Sequence, residues 1–199
     1  MSVQATLPGL VAPDPVIAAN PVGSVVEAAA GPEGLATASY DRDRQYRYRL
    51  SRVWDPAGPR VAWVMLNPST ATAFVLDPTV RRCVRYARAW GFGGLEVVNL
   101  FAYRATDPAG MVAADDPVGP HNDDAIRAAA SAAELVMAGW GVHGRHLGRG
   151  EAVRAMLAGV GVELHHLRLT KGGHPGHPLY LPGTARPSPW LDRDFRDSV

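Results

Sequence analysis

The chain has 199 residues, 47% of them hydrophobic and 20% charged, with a formal net charge of +1. That is enough chain for one domain of ordinary size with a buried core, and the balance is that of a soluble globular protein. No apolar run approaches the roughly 18 residues of a membrane helix, and one cysteine, Cys83, excludes both an internal disulfide framework and an iron–sulfur cluster held by several cysteines. The N-terminal stretch MSVQATLPGLVAPDPVIAANPVG has no Lys or Arg, so it lacks the charged start of a secretory signal, and a cytoplasmic protein is expected. The near-neutral charge is weak support for a nucleic-acid binder, for which a basic domain is usual. Lys171 is the only lysine; the other basic residues are arginine. Arginine suits phosphate recognition, but codon bias gives the same composition.

Residues 1–38 are rich in Ala, Pro, Gly and Val and read as a poorly ordered extension, with a single α/β domain over 39–199. Tyr46, Tyr48 and Leu50 alternate with Arg47 and Arg49, the period of a strand with one wet face. After the turn DPAGPR, the run VAWVML (61–66) reads as a buried strand. Over 78–90, Val80, Cys83, Val84 and Ala87 share a helical face, with Pro78 in the first turn and Asp77 as cap. LEVVNLFAY (95–103) is a second buried-strand candidate, and NDDAIRAAASAA (122–133) a helix with acids at its start. ELVMAGW (134–140) is a third strand, GRGEAVRAMLAGVG (148–161) a helix closed by glycine, and VELHHLRL (162–169) a fourth strand. The alternation predicts a three-layer α/β/α fold with a central, mainly parallel sheet. Ligands of such folds bind beyond the carboxyl ends of the strands.

The segments after those strands are NPST, NLFAYRATDP, GWGVHGRH and LTKGGHPGHPLYLP. Each brings polar or conformationally special residues to one rim. Pro68 holds Asn67 extended and ends the strand's pairing, leaving an amide that donates and accepts; an ordinary Asn-Pro turn is the plain alternative. Asn99 interrupts an apolar run, and a buried amide must find partners, either a planar ligand edge or a neighbouring loop. GWGVHG allows close backbone approach and supplies Trp140 and His143, or is simply a packing turn. It is neither a P-loop nor a dinucleotide fingerprint, and no cofactor is expected. All seven histidines lie between 121 and 177. The pairs His143/His146 and His174/His177 have no nearby acid and no zinc spacing, so no metal is expected. A positioned imidazole that stabilises charge or moves a proton is the alternative to solvated loop histidines.

In order along the chain, VMLNPS, VVNLFAYRA, AGWGVHG and HPLYLP resemble the motifs of the uracil-DNA glycosylase superfamily. There a first motif follows the first core strand, with NP typical of the mismatch-specific branch. A second strand ends in an asparagine that reads the base, and a later strand runs into WG. A final loop opens with HP and carries a histidine and an intercalating apolar residue. More closely, the span from about Tyr40 to Trp190 resembles the bacterial domain-of-unknown-function family 1643, through MLNPSTA, DPT, RC, VVNLFAYRATDP and KGGHPGHPLYLP. The chain departs from the glycosylase pattern at Ser69, where the mismatch-specific branch has glycine, and in Leu179-Tyr180 after His-Pro. The aspartate–tyrosine pair of the uracil enzymes is absent.

The resemblance implies that Asn67 positions a water at the sugar's anomeric carbon, with Asp77 the nearest carboxylate to assist. It implies that Asn99 reads the base edge and that His177 or His174 stabilises the departing base. Phe74 or Phe101 would stack on the base, with Trp140 alongside. Leu179 and Tyr180, with Leu181, would wedge into the duplex. Ser69, Arg81, Arg82, Arg104 and His143 would meet nucleic acid or phosphate. Three readings follow: a glycosylase acting on a damaged or modified base in DNA, a hydrolase of a free nucleoside or nucleotide, and a non-catalytic module binding a modified base. The expected partner is DNA or a nucleotide-type ligand, with no membrane. A basic face around the strand ends favours the first reading, a small closed pocket the second, and wide separation of Asn67 and His177 the third.

Overall fold

The computed structural model describes residues 24–31 and 34–191. Its strands are β1 (Val25–Gly31), β2 (Gly34–Tyr40), β3 (Arg47–Val53), β4 (Arg60–Met65), β5 (Gly94–Asn99), β6 (Leu135–Ala138), β7 (Leu164–His166) and β8 (Ser188–Pro189). Its α-helices are α1 (Pro78–Ala89), α2 (Pro108–Val112), α3 (Asn122–Ser131) and α4 (Arg149–Ala158). The strands form one mixed sheet in the order β1-β2-β3-β5-β4-β6-β7-β8. β5, β4, β6 and β7 run parallel, while β1, β2 and β3 add to β5 antiparallel and β8 closes the other edge antiparallel to β7. The expectation of a mainly parallel sheet therefore holds for its centre and fails for both flanks.

The centre reads as its sequence suggests. VAWVML alternates between two buried faces. Val61, Trp63 and Met65 join a cluster with Val80, Cys83, Tyr86 and Ala87 of α1. Ala62, Val64 and Leu66 join Ile126 and Ala129 of α3 and Val153 and Leu157 of α4. A strand covered on both sides needs no polar face, which is why the run is continuous. α1 begins as expected: the Asp77 carboxylate accepts from the Val80 amide at 2.7 Å, with Pro78 in the first turn. Trp63, Tyr86 and Trp90 stack with centroids 5.2–6.0 Å apart. No helix among the described residues is long and apolar enough to cross a membrane.

The segment expected to be a poorly ordered extension is corrected from Val25 onward, since β1 and β2 pair from Val25↔Tyr40 to Gly31↔Gly34. Residues 1–23 of that expectation lie outside the described residues. VVEAAAG and GLATASY are poor in the large β-formers that mark a strand; β2 pairs along the edge of β3, and β1 along β2. Gly34 is required there: its φ is +100°, and a Cβ would stand 1.9 Å from the Val53 carbonyl oxygen.

β3 is the second correction. Arg47 and Arg49 were expected on one wet face; both are buried, at 2% and 5% exposure. Between the pairs Ser39↔Arg49 and Tyr40↔Arg47 the register slips, so Tyr48 is the extra residue of a bulge. A bulge turns successive side chains off the two-residue alternation. Arg49 reaches the Glu96 carboxylate with Nε and, at 3.0 Å, with Nη2. Arg47 turns instead toward the end of β5 and the loop after β4.

Candidate functional site

A cavity of about 510 Å³ opens where the carboxyl ends of β4, β5 and β6 meet the loops that follow them. Asn67, Ser69, Asp77, Asn99, Trp140 and His143 line it, and the loop from Thr170 adds His177, Leu179 and Tyr180. Nine residues singled out in the sequence thus converge from five separate segments. The others stand elsewhere. Phe101 is fully buried against the His146 ring, 5.5 Å away, and Phe74 is 67% exposed. Neither lines the cavity, which corrects their expected stacking role. His174 also lies off it, as do Arg81, exposed on α1, and Arg82, which lies over the Tyr86 ring at 6.0 Å. Arg104 lines a neighbouring cleft.

The loop after β4 uses Asn67 as a clamp and leaves it one free atom. Its Nδ2 donates to the carbonyls of Ala105 at 2.8 Å and Pro68 at 3.1 Å. The Ala105 amide donates to the same Pro68 carbonyl at 3.0 Å. Both amide hydrogens are committed, so Oδ1 remains, an acceptor that receives no hydrogen bond from the described residues. The structural and the functional readings of Asn-Pro therefore coexist in one side chain.

Asn99 presents the opposite polarity. Its Oδ1 faces Arg47 Nη2 at 3.4 Å, an orientation that a flipped amide would turn into two opposed donors. Its Nδ2 has no partner among the described residues, although the residue is only 2% exposed. A buried amide left open toward a cavity is suited to an incoming acceptor. The backbone here is held firmly: Asn122 Nδ2 donates to the carbonyls of Asn99 and Leu100 at 3.0 and 2.9 Å, and Arg149 Nε to Leu100 at 2.9 Å. Asn122 and Arg149 are buried, and Arg149 is paired with Asp123.

Arg47 lines the cavity and was not singled out by the sequence. Its Nη1 donates to the Ala71 carbonyl at 2.8 Å, and its Nε has no partner. Burial lowers the guanidinium to about 10, against Tyr40 and Asp77, which act to raise it. It is still cationic at neutral pH, so the cavity wall carries a buried positive charge. The bulge that aims it leaves no local sequence signal, because arginine at alternate strand positions reads as solvent-facing.

His177 stands at the entry to a short 3-10 turn, Pro178–Tyr180. Its Nδ1 accepts from the Leu179 amide at 3.4 Å, which assigns the neutral tautomer with the proton on Nε2. Burial pushes the imidazole below its ordinary value of 6.5, and the Asp77 carboxylate opposes that shift. The turn is anchored to α1: Tyr86 OH donates to the carbonyls of Leu181 and Pro182 at 3.2 and 2.7 Å. The Gly141 amide, in the loop after β6, donates to the Pro175 carbonyl at 2.8 Å. Asp77 is both cap and cavity residue, with one carboxylate oxygen on the Val80 amide.

GWGVHG serves packing as well as the cavity. Trp140 is 2% exposed and lies 5.5 Å from the Trp190 ring. A Cβ at Gly144 would stand 2.0 Å from Trp140 Cδ1, so glycine is needed for the loop to close over the indole. Among the described residues no group of three or more His, Cys, Asp or Glu could hold a metal ion.

No curated protein and no solved structure matches the chain. One family model does match, over residues 47–179, which takes in the three strand ends at the cavity and the final loop as far as Leu179. The chain belongs to the family described as protein of unknown function DUF1643.

Proposed function

We propose that the protein is an N-glycosidase with the three-layer arrangement of the uracil-DNA glycosylase superfamily, hydrolysing the bond between sugar and base at a damaged or modified base in DNA. The observation that carries this reading is the split polarity of the cavity. Acceptors, Asn67 Oδ1 and the Asp77 carboxylate, and donors, Asn99 Nδ2 and His177 Nε2–H, line the same space. Cleavage of an N-glycosidic bond needs that division. The two acceptors hold a water at the anomeric carbon, and Asp77 takes its proton as the oxocarbenium-like sugar is attacked. The base leaves with the bonding electron pair, and the two donors meet its developing negative charge. Arg47, behind Asn99, adds a positive charge to the same wall.

The test is base release by the purified chain. The panel is oligonucleotides holding uracil, a thymine mismatch, hypoxanthine or oxidised and hydroxymethylated pyrimidines, with the corresponding free deoxynucleotides alongside. Asp77→Asn keeps a capping side chain on α1 and removes the carboxylate. Release from DNA that falls by about a hundredfold or more in Asp77→Asn is expected. Release from free nucleotides alone moves the answer to a nucleotide hydrolase, a reading favoured by the net charge of +1. No release from any substrate refutes the catalytic reading and leaves a binding module.

A further inference from the structure

Beside the cavity lies a shallower cleft of about 330 Å³. Ser69, Ala105 and Thr106 line both, so the two are continuous. The cleft's remaining wall is Arg44, Gln45, Thr70, Tyr103 and Arg104, with no carboxylate among the lining residues. Arg44 and Arg104 both lie over the Tyr40 ring, at 5.1 and 5.3 Å. Arg44 is paired with Glu27. Arg104 makes no ion pair among the described residues; its Nη1 donates to the Arg44 carbonyl at 2.9 Å, and its Nε has no partner. Two guanidinium groups thus pack on one ring, only Arg44 has a carboxylate partner, and both share the lining of the cleft with Ser69, Thr70 and Thr106.

We infer that this cleft is a phosphate subsite, so that the ligand of the neighbouring cavity is a phosphorylated nucleotide unit and not a free base or nucleoside. Guanidinium forks and hydroxyls are the donors that phosphate oxygens take, and Arg104 brings to the lining a charge that no carboxylate of the described residues offsets. The tether is Ser69-Thr70, which follows Asn67-Pro68 directly. The segment that holds Asn67 at the sugar thereby continues into the wall that would hold the phosphate. The Tyr40 ring lies within cation–π distance of both guanidinium groups. The same chemistry serves a free nucleotide's phosphate and a phosphodiester of DNA.

The inference rests on the nucleobase reading of the cavity, and its test separates the two. Calorimetric titration of the full chain would use inorganic pyrophosphate, a deoxynucleoside 5′-monophosphate, its nucleoside, and a short single-stranded oligonucleotide carrying an abasic site. Arg104→Gln and Arg104→Lys would be measured in parallel. Pyrophosphate and the monophosphate are expected to bind and to lose about tenfold in affinity in Arg104→Gln, with the loss only partly recovered in Arg104→Lys, which keeps the charge without the fork. Tighter binding of the abasic oligonucleotide than of the monophosphate assigns the phosphate to DNA, and the reverse assigns it to a free nucleotide. Nucleoside and monophosphate binding with equal affinity, or phosphate probes indifferent to Arg104→Gln, overturns the subsite even if base release is observed. Phosphate binding that persists while no base is released refutes the glycosidase and leaves the subsite standing.

Discussion

Asn99→Asp separates stability from recognition at the centre of the site. The substitution is isosteric, and Oδ1 keeps its place 3.4 Å from Arg47 Nη2. Two unit charges at that distance attract by about 5 kcal/mol at an effective dielectric of 20. Taking a carboxylate out of water costs several kcal/mol in return. The two terms nearly cancel, so the midpoint of urea unfolding should move by less than about 1 M in either direction. Recognition has no such compensation. The free Nδ2 donor becomes an acceptor bearing negative charge, which on the proposed reading would face the edge of a base whose departure also develops negative charge. A lost donor and an added repulsion amount to about 3–4 kcal/mol, or a factor of a few hundred in base release or ligand affinity. Paired urea melts and release assays on wild type and Asn99→Asp measure both quantities. A variant as active as the wild type would show that Asn99 Nδ2 meets no ligand acceptor. One that unfolds several kcal/mol earlier would show that Arg47 does not compensate the new charge.

Because burial lowers His177 from 6.5, the folded state holds it neutral, and its contribution to stability is complete above the unfolded value and lost as pH falls through the lowered one. An NMR titration of the His177 imidazole should therefore show a midpoint below 6.5; a midpoint above 6.5 would show that burial does not govern its charge. Glu96→Ala leaves the Arg49 guanidinium buried without its carboxylate and should cost about 3–5 kcal/mol in urea unfolding, whereas Arg49→Met combined with Glu96→Leu should lie within about 2 kcal/mol of wild type. Gly144→Ala places a methyl group 2.0 Å from Trp140 Cδ1 and should cost about 1–3 kcal/mol, with a shift in Trp140 fluorescence; an unaltered melt would mean that the loop moves freely off the indole.

Patterns confined to one element were legible in the chain itself. The unbroken apolar run of β4 requires cover on both faces, the Asp77-Pro78 pair starts α1, and Asn67-Pro68 stops β4 with an amide at its end. Those are local consequences of sterics and hydrogen bonding, and the structure keeps them. That nine of the residues so marked share one cavity also follows from strand order, because parallel strands deliver their ends to one rim. What the tertiary structure alone decided is the other half of the wall. β2 is a strand because β3 offers it an edge, and β1 because β2 does in turn, although their small residues carry little preference of their own. Phe101 and Asn99 sit two residues apart in a single predicted strand, but the strand ends at Asn99 and Phe101 turns into the core. Arg47 and Arg49 share one alternating pattern, and a bulge at Tyr48 sends them to different partners, Asn99 and Glu96. A bulge depends on the register of the neighbouring strand, a long-range quantity, so no reading of residues 46–50 could show that a buried arginine would stand behind the asparagine.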